Sequence, residues 1–277
     1  MAISRAKRSR SGKRGLVIRL VFVLLLAGVA TAQAQPVFDT STVGGPRSAR
    51  PGELFLPAGR GPFPAMIVLH GCDGVGPHYR TWARRLQAWG YAALMVDSFG
   101  PRGIREVCGE GRRVDPSARA ADAFRAAAWL RTRSDIAADE IGVIGFSHGG
   151  WSVLKAVLAD AVSASGGPAF AAAVAYYPGC EAPGAPLATD TLILIGDADD
   201  WTPPGRCQRW VDRVDSNGRS LALHVFPGAL HGFDTTVAKH IYAGHQVGGD
   251  PQAAPASEAE VRRFLAAHLG ARGGGAK

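Results

Sequence analysis

"EIGVIGFSHGG", residues 140–150, decides the fold. Ile141, Val143, Ile144 and Phe146 make a short apolar run of strand length, and "GWSVLKAVLAD" (150–160) follows at once with helical character. Ser147 sits at the junction, between Gly145 and Gly149. A turn this sharp strains its central residue, and side chains at the flanking positions would strike the neighbouring backbone. The two glycines therefore leave Ser147 standing exposed where a buried strand ends.

The same strand-then-helix unit recurs outward in both directions. "AMIVLH" (65–70) precedes "YRTWARRLQAW" (79–89), "YAALMVD" (91–97) precedes "ARAADAFRAAAWLRTR" (118–133), and "TLILIG" (191–196) precedes "GRCQRWVDRV" (205–214). "AFAAAVAYY" (169–177) adds a strand, and "LALHVF" (221–226) leads to a last helix. Apolar runs alternating with helices predict an α/β domain whose mostly parallel central sheet is flanked by helices on both faces. Asp115 before Pro116 suits a helix start, and "SEAE" (257–260) reads as a capping box opening the last helix. "GGDPQAAPA" (248–256) and "GARGGGAK" (270–277) are read as mobile. Neither a repeat nor a long linker divides the chain, so one domain is expected.

The 277 residues are 47% hydrophobic and 19% charged, enough for a substantial core and not a disordered chain. A formal charge of +8 invites a nucleic-acid reading, but its placement removes it. Residues 1–34 hold seven of the 31 basic residues and no acid, which leaves 24 against 23. That basic head, the apolar run Leu20–Ala30 and the small residues Ala32 and Ala34 form a secretory signal peptide. Residues 1–34 are thus expected to be cleaved from a domain spanning 35–277, leaving an exported protein, periplasmic or secreted, without a stable membrane anchor. The uncharged run is about half the ~20 residues of a bilayer span. No cysteine follows it to carry a lipid.

A serine hydroxyl at neutral pH needs a histidine to take its proton and a carboxylate to orient that histidine. In a parallel sheet both groups belong on loops beyond the carboxyl ends of later strands. "GDADDWTPP" (196–204) follows one such strand and offers Asp197, Asp199 and Asp200; "PGALHGFD" (227–234) follows the next and offers His231. The order Ser, Asp, His is that of α/β-hydrolases. The amides of His148 and Cys72 occupy the places from which an oxyanion is held.

With "VLHGCDG" (68–74), "GFSHGG", "GDADDWTP" (196–203) and "LHGFD" (230–234) together, the chain resembles the dienelactone hydrolase family of α/β-hydrolases from about residue 50 to 269. The resemblance implies Ser147 as nucleophile, Asp199 as acid, flanked by Gly196 and Pro203, and His231 as base. The family's namesake has a cysteine where this chain has Ser147, which moves the expected substrate from the namesake's to a broader small ester or lactone. Neither a cofactor nor a metal is expected: His70, His78, His224, His240 and His245 come without HExxH or paired CxxC spacing. His70 is read as a structural hydrogen-bonding group. A peptidase or thioesterase using the same triad, and a noncatalytic binding protein of this fold, are the alternatives.

Four cysteines permit three pairings in an exported chain, with free buried thiols as the alternative. Loop proximity in this fold favours Cys72 with Cys108 and Cys180 with Cys207. Arg102 or Arg105 could grip a substrate carboxylate, against the commoner reading of a salt bridge, with Asp97 as a candidate partner. Trp201 could wall the pocket or pack in the core.

Overall fold

The computed structural model describes residues 52–270 and, as backbone, the short strand β1 (Gln35–Pro36). The expected signal peptide and the tail beyond Gly270 lie outside the described residues. From β1 the chain forms β2 (Gly52–Phe55), β3 (Phe63–Leu69), α1 (Pro77–Ala88), β4 (Ala92–Val96), α2 (Pro116–Arg131), β5 (Ile136–Phe146), α3 (His148–Ala156), α4 (Ala159–Ser165) and β6 (Ala173–Tyr176). It continues with β7 (Thr191–Gly196), α5 (Pro204–Arg213), β8 (Leu221–Phe226), a hairpin of β9 (His240–Tyr242) and β10 (His245–Val247), and α6 (Ala253–His268).

The main sheet has eight strands in the order β1-β2-β4-β3-β5-β6-β7-β8. It is antiparallel at the β1 and β2 edge and parallel from β4 to β8. Every residue of β4, β6 and β7 is buried, as strands covered on both faces must be. Covering comes from α2 and α3, packed on each other and on β5, and from α1 and α6, joined by the Arg85–Glu258 ion pair at 2.9 Å. The expected α/β architecture is thus the observed one.

Several local readings are corrected. The last helix opens at Ala253, before the expected capping box. Ser257 is instead a buried interior residue whose hydroxyl donates to Ala254 O, and Asp250 Oδ1 caps the start by accepting from Gln252 N and Ala253 N. The segment 248–256, read as mobile, is therefore ordered: Gly248 N donates to His231 O and Asp250 N to Phe233 O. The helix drawn over 150–160 breaks after Ala156, because Leu158 is extended and bridges Leu187. Asp115 does cap α2, accepting from Ser117 N at 2.6 Å. The β9–β10 hairpin is an addition the sequence reading lacked.

Candidate active site

Ser147 follows β5 directly and has φ 52° and ψ −115°, a backbone conformation that costs about 1–3 kcal/mol for a non-glycine residue. The surroundings over-determine it. A Cβ on Gly145 would lie 2.3 Å from Gly149 O, and one on Gly149 would lie 2.3 Å from Leu69 O. Ser147 N donates to Tyr176 O of the adjacent strand at 2.9 Å. β5, β7 and β8 run parallel, so the loops after them open at the same sheet edge.

At that edge the three separated motifs meet. Ser147 Oγ lies 2.8 Å from His231 Nε2, and His231 Nδ1 lies 2.8 Å from Asp199 Oδ2. Asp199 is buried and its other oxygen accepts from Trp201 N and Thr202 N, while the Thr202 hydroxyl donates to Oδ2 at 2.9 Å. Asp197 and Asp200 point elsewhere: Asp197 accepts from Gly228 N, and Asp200 accepts from Gln246 N and pairs with His245 at 3.3 Å. An imidazole so held can take a proton from the serine hydroxyl and return it to a leaving group.

The amides of Cys72 and His148 have no hydrogen-bond partner among the described residues. Val107 N donates to Cys72 O, and the Cys72–Cys108 disulfide ties this loop to the 104–108 segment. The second disulfide is Cys180–Cys207, so the pairing is the one that loop proximity favours and all four cysteines are used. His70 holds its loop as expected, with Nδ1 donating to Gly71 O at 2.7 Å and Nε2 accepting from Ser98 N.

Around these three residues, Trp201 stands with its ring 5.0 Å from His231 and stacks on His245 of the hairpin at 4.8 Å and 14°. It also packs against the small apolar cluster of Cys72, Phe99, Val107 and Val114, the packing role expected for it. Arg102 is bound to a carboxylate of its own, Asp122 rather than Asp97, at 2.7 and 3.0 Å, and also donates to Ser98 O. Engaged this way, it is not a free grip for a substrate carboxylate. Arg105 is exposed and has no side-chain partner among the described residues.

Two groups went unread in the sequence. Asp234, in the same "LHGFD" as His231, accepts from Tyr177 OH and Trp82 Nε1, each at 2.7 Å, and lies 3.1 Å from His78. Burial pushes its carboxyl up, but His78 and these hydrogen bonds outweigh that and hold it below the usual range. Tyr177, thus anchored, lays its ring 4.6 Å from His231. The second is Arg119 of α2, buried beneath the site, with bonds to His148 and His70. The "HGFD" motif carried a signal for the first group, whereas Arg119 carried none.

A dienelactone hydrolase family model matches residues 51–269. The chain belongs to the dienelactone hydrolase family. It is accordingly a hydrolase of the ester- and lactone-cleaving kind. One relative from a Bradyrhizobium species, named "Probable 2-oxo-3-(5-oxofuran-2-ylidene)propanoate lactonase", is 24% identical over 70% of this chain and 83% of its own. Among solved structures, a dienelactone hydrolase-like promiscuous phosphotriesterase from metagenomic libraries is 20% identical. The similarity covers 79% of this chain and 92% of that one, with a TM-score of 0.64. A thermophilic esterase from Thermogutta terrifontis is 17% identical over 82% and 90% of the two chains, with a TM-score of 0.61. Both structures share the fold. Among the described residues no helix is long and apolar enough to cross a membrane, and no cluster of three or more metal-ligating side chains exists.

Proposed function

We propose that the protein is an exported serine hydrolase that cleaves a small carboxylic ester or lactone through an acyl-serine intermediate. The hydrogen-bonded chain from Ser147 through His231 to Asp199, 2.8 Å at each link, carries this reading. His231 Nε2 takes the Ser147 proton as Oγ attacks the carbonyl carbon. The oxyanion so formed accepts hydrogen bonds from the Cys72 and His148 amides. Collapse of the tetrahedral centre breaks the ester bond, and the proton on His231 leaves with the alcohol. A water then repeats the sequence: His231 removes its proton, the hydroxide attacks the acyl carbon, and Ser147 departs reprotonated as the acid is released. Asp199 keeps Nδ1 protonated and offsets the imidazolium charge, so no cofactor or metal is called on.

Residues 1–34 act in this reading as the signal peptide, and 35–277 as the hydrolase domain. Disulfides at all four cysteines favour an oxidising compartment. The test is hydrolysis of a neutral aryl ester by the purified mature chain. Ser147→Ala and His231→Ala should each lower kcat by roughly 10⁴-fold or more. A Ser147→Ala variant as active as the wild type would refute the assignment. N-terminal sequencing of the exported protein should begin at Gln35, and a chain retaining Met1 would remove the export claim.

A further inference from the structure

Arg119 is fully buried in α2, yet among the described residues it makes no ion pair. The carboxylate that acts on it most strongly, Asp122, is committed to Arg102 and Arg125. Burial lowers the guanidinium to about 10, so it remains charged at neutral pH. A buried charge without a salt-bridge partner costs several kcal/mol, so a merely structural arginine has little reason to sit here. Among the described residues its hydrogen-bond contacts go to two histidines, and Nη2 also lies 3.3 Å from His70 Nδ1. Nη2 donates to His70 O at 2.7 Å, and Nη1 reaches His148 Nδ1 at 2.7 Å, while Phe99 covers the guanidinium face at 4.8 Å. The His148 ring is oriented from its other end by Nε2 donating to Gly111 O at 2.6 Å. Burial, and then Arg119, lower the His148 imidazole to about 4, which keeps it a neutral acceptor for the guanidinium.

His148 supplies one of the two proposed oxyanion amides, and His70 stands two residues before Cys72, which supplies the other. The two backbones are already in close approach, since a Cβ on Gly149 would lie 2.5 Å from His70 O. We propose that Arg119 is a positioning residue that fixes the spacing between the Cys72 and His148 amides, so that both converge on one oxyanion. The assignment rests on the acyl-serine reading above. Arg119 never touches substrate, and acts through the His70 carbonyl and the His148 ring.

The test compares wild type, Arg119→Met and Arg119→Lys on a neutral aryl ester and on an alkyl boronic acid, which forms a tetrahedral adduct at the serine. In Arg119→Met, kcat should fall roughly 100-fold, as for loss of one oxyanion donor, with KM changed less than about twofold. Boronate affinity should fall in parallel with kcat, with circular dichroism confirming that the variant is folded. Arg119→Lys, which can reach only one of the two acceptors, should lie between. Unchanged kcat and boronate affinity in a folded variant would overturn the assignment, as would a loss confined to KM. If Arg119→Met does not fold, the same kcat and boronate readouts on Arg119→Lys decide. Activity abolished by Ser147→Ala but untouched in Arg119→Met would sink this proposal alone.

Discussion

His148 and His70 are buried imidazoles whose titration should shape the acid stability of the whole chain. Burial, and after it Arg119, lower both, His148 to about 4 and His70 well below its usual value. Each is neutral in the fold and free to charge on unfolding. Their stabilising contribution is therefore complete above about pH 6.5 and is lost as pH falls toward 4, on the order of 3 kcal/mol for His148 alone. His78 runs the other way. Burial lowers it, but Asp234 outweighs that and raises it, so its contribution is complete below about pH 6.5 and fades only above. Urea midpoints at pH 7.5 and 5 should drop steeply in wild type and less so in His148→Gln; equal drops would contradict the account. Ser147, Asp199 and His231 were legible in the sequence because each lies in a short motif at the end of a strand. Arg119 was not, since "ARAADAFRAAAW" on its own places an arginine on a helix without saying which face meets the sheet.

The buried strands and the helices between them were readable as elements, because β4, β6 and β7 are covered on both faces and so read as unbroken apolar runs. The β9–β10 hairpin was not. Its residues are largely exposed, Ile241 at 66%, and it is held by contacts from a distant loop, Asp200 with His245 and Trp201 with His245. The start of α6 was misplaced for a related reason. A capping box is a local pattern, whereas Asp250 is fixed as the cap by its backbone bond to Phe233 O. Asp250→Ala should therefore cost about 1 kcal/mol in urea denaturation, the usual worth of a cap. A Ser257 substitution that instead frayed the first turn, with Asp250→Ala neutral, would restore the capping box. Because Arg102 is engaged by Asp122, adding a carboxylate to an aryl ester should give no gain in kcat/KM. A gain abolished by Arg105→Gln would identify that arginine as the anion grip.

Across the whole molecule, the two disulfides fasten the loops that frame the site, one to the 104–108 segment through Cys72–Cys108 and one to α5 through Cys180–Cys207. Cys72–Cys108 spans 36 residues and Cys180–Cys207 spans 27, so each should contribute about 3–4 kcal/mol by restricting the unfolded chain. Replacing Cys72 and Cys108 together by alanine should lower the unfolding free energy by about that much, and should also slow catalysis, since Cys72 bears one of the two proposed oxyanion amides. Loss of stability with unchanged kcat would separate the disulfide from the site. The more basic claim is that residues 147, 199 and 231, remote along the chain, converge into one reacting group at the sheet edge. The direct measurement is to treat the folded protein with an alkyl fluorophosphonate and locate the adduct by peptide mass. One adduct on Ser147, absent in Ser147→Ala and strongly slowed in His231→Ala, is the predicted result. Labelling that persists in Ser147→Ala, or that proceeds at the wild-type rate without His231, would contradict it.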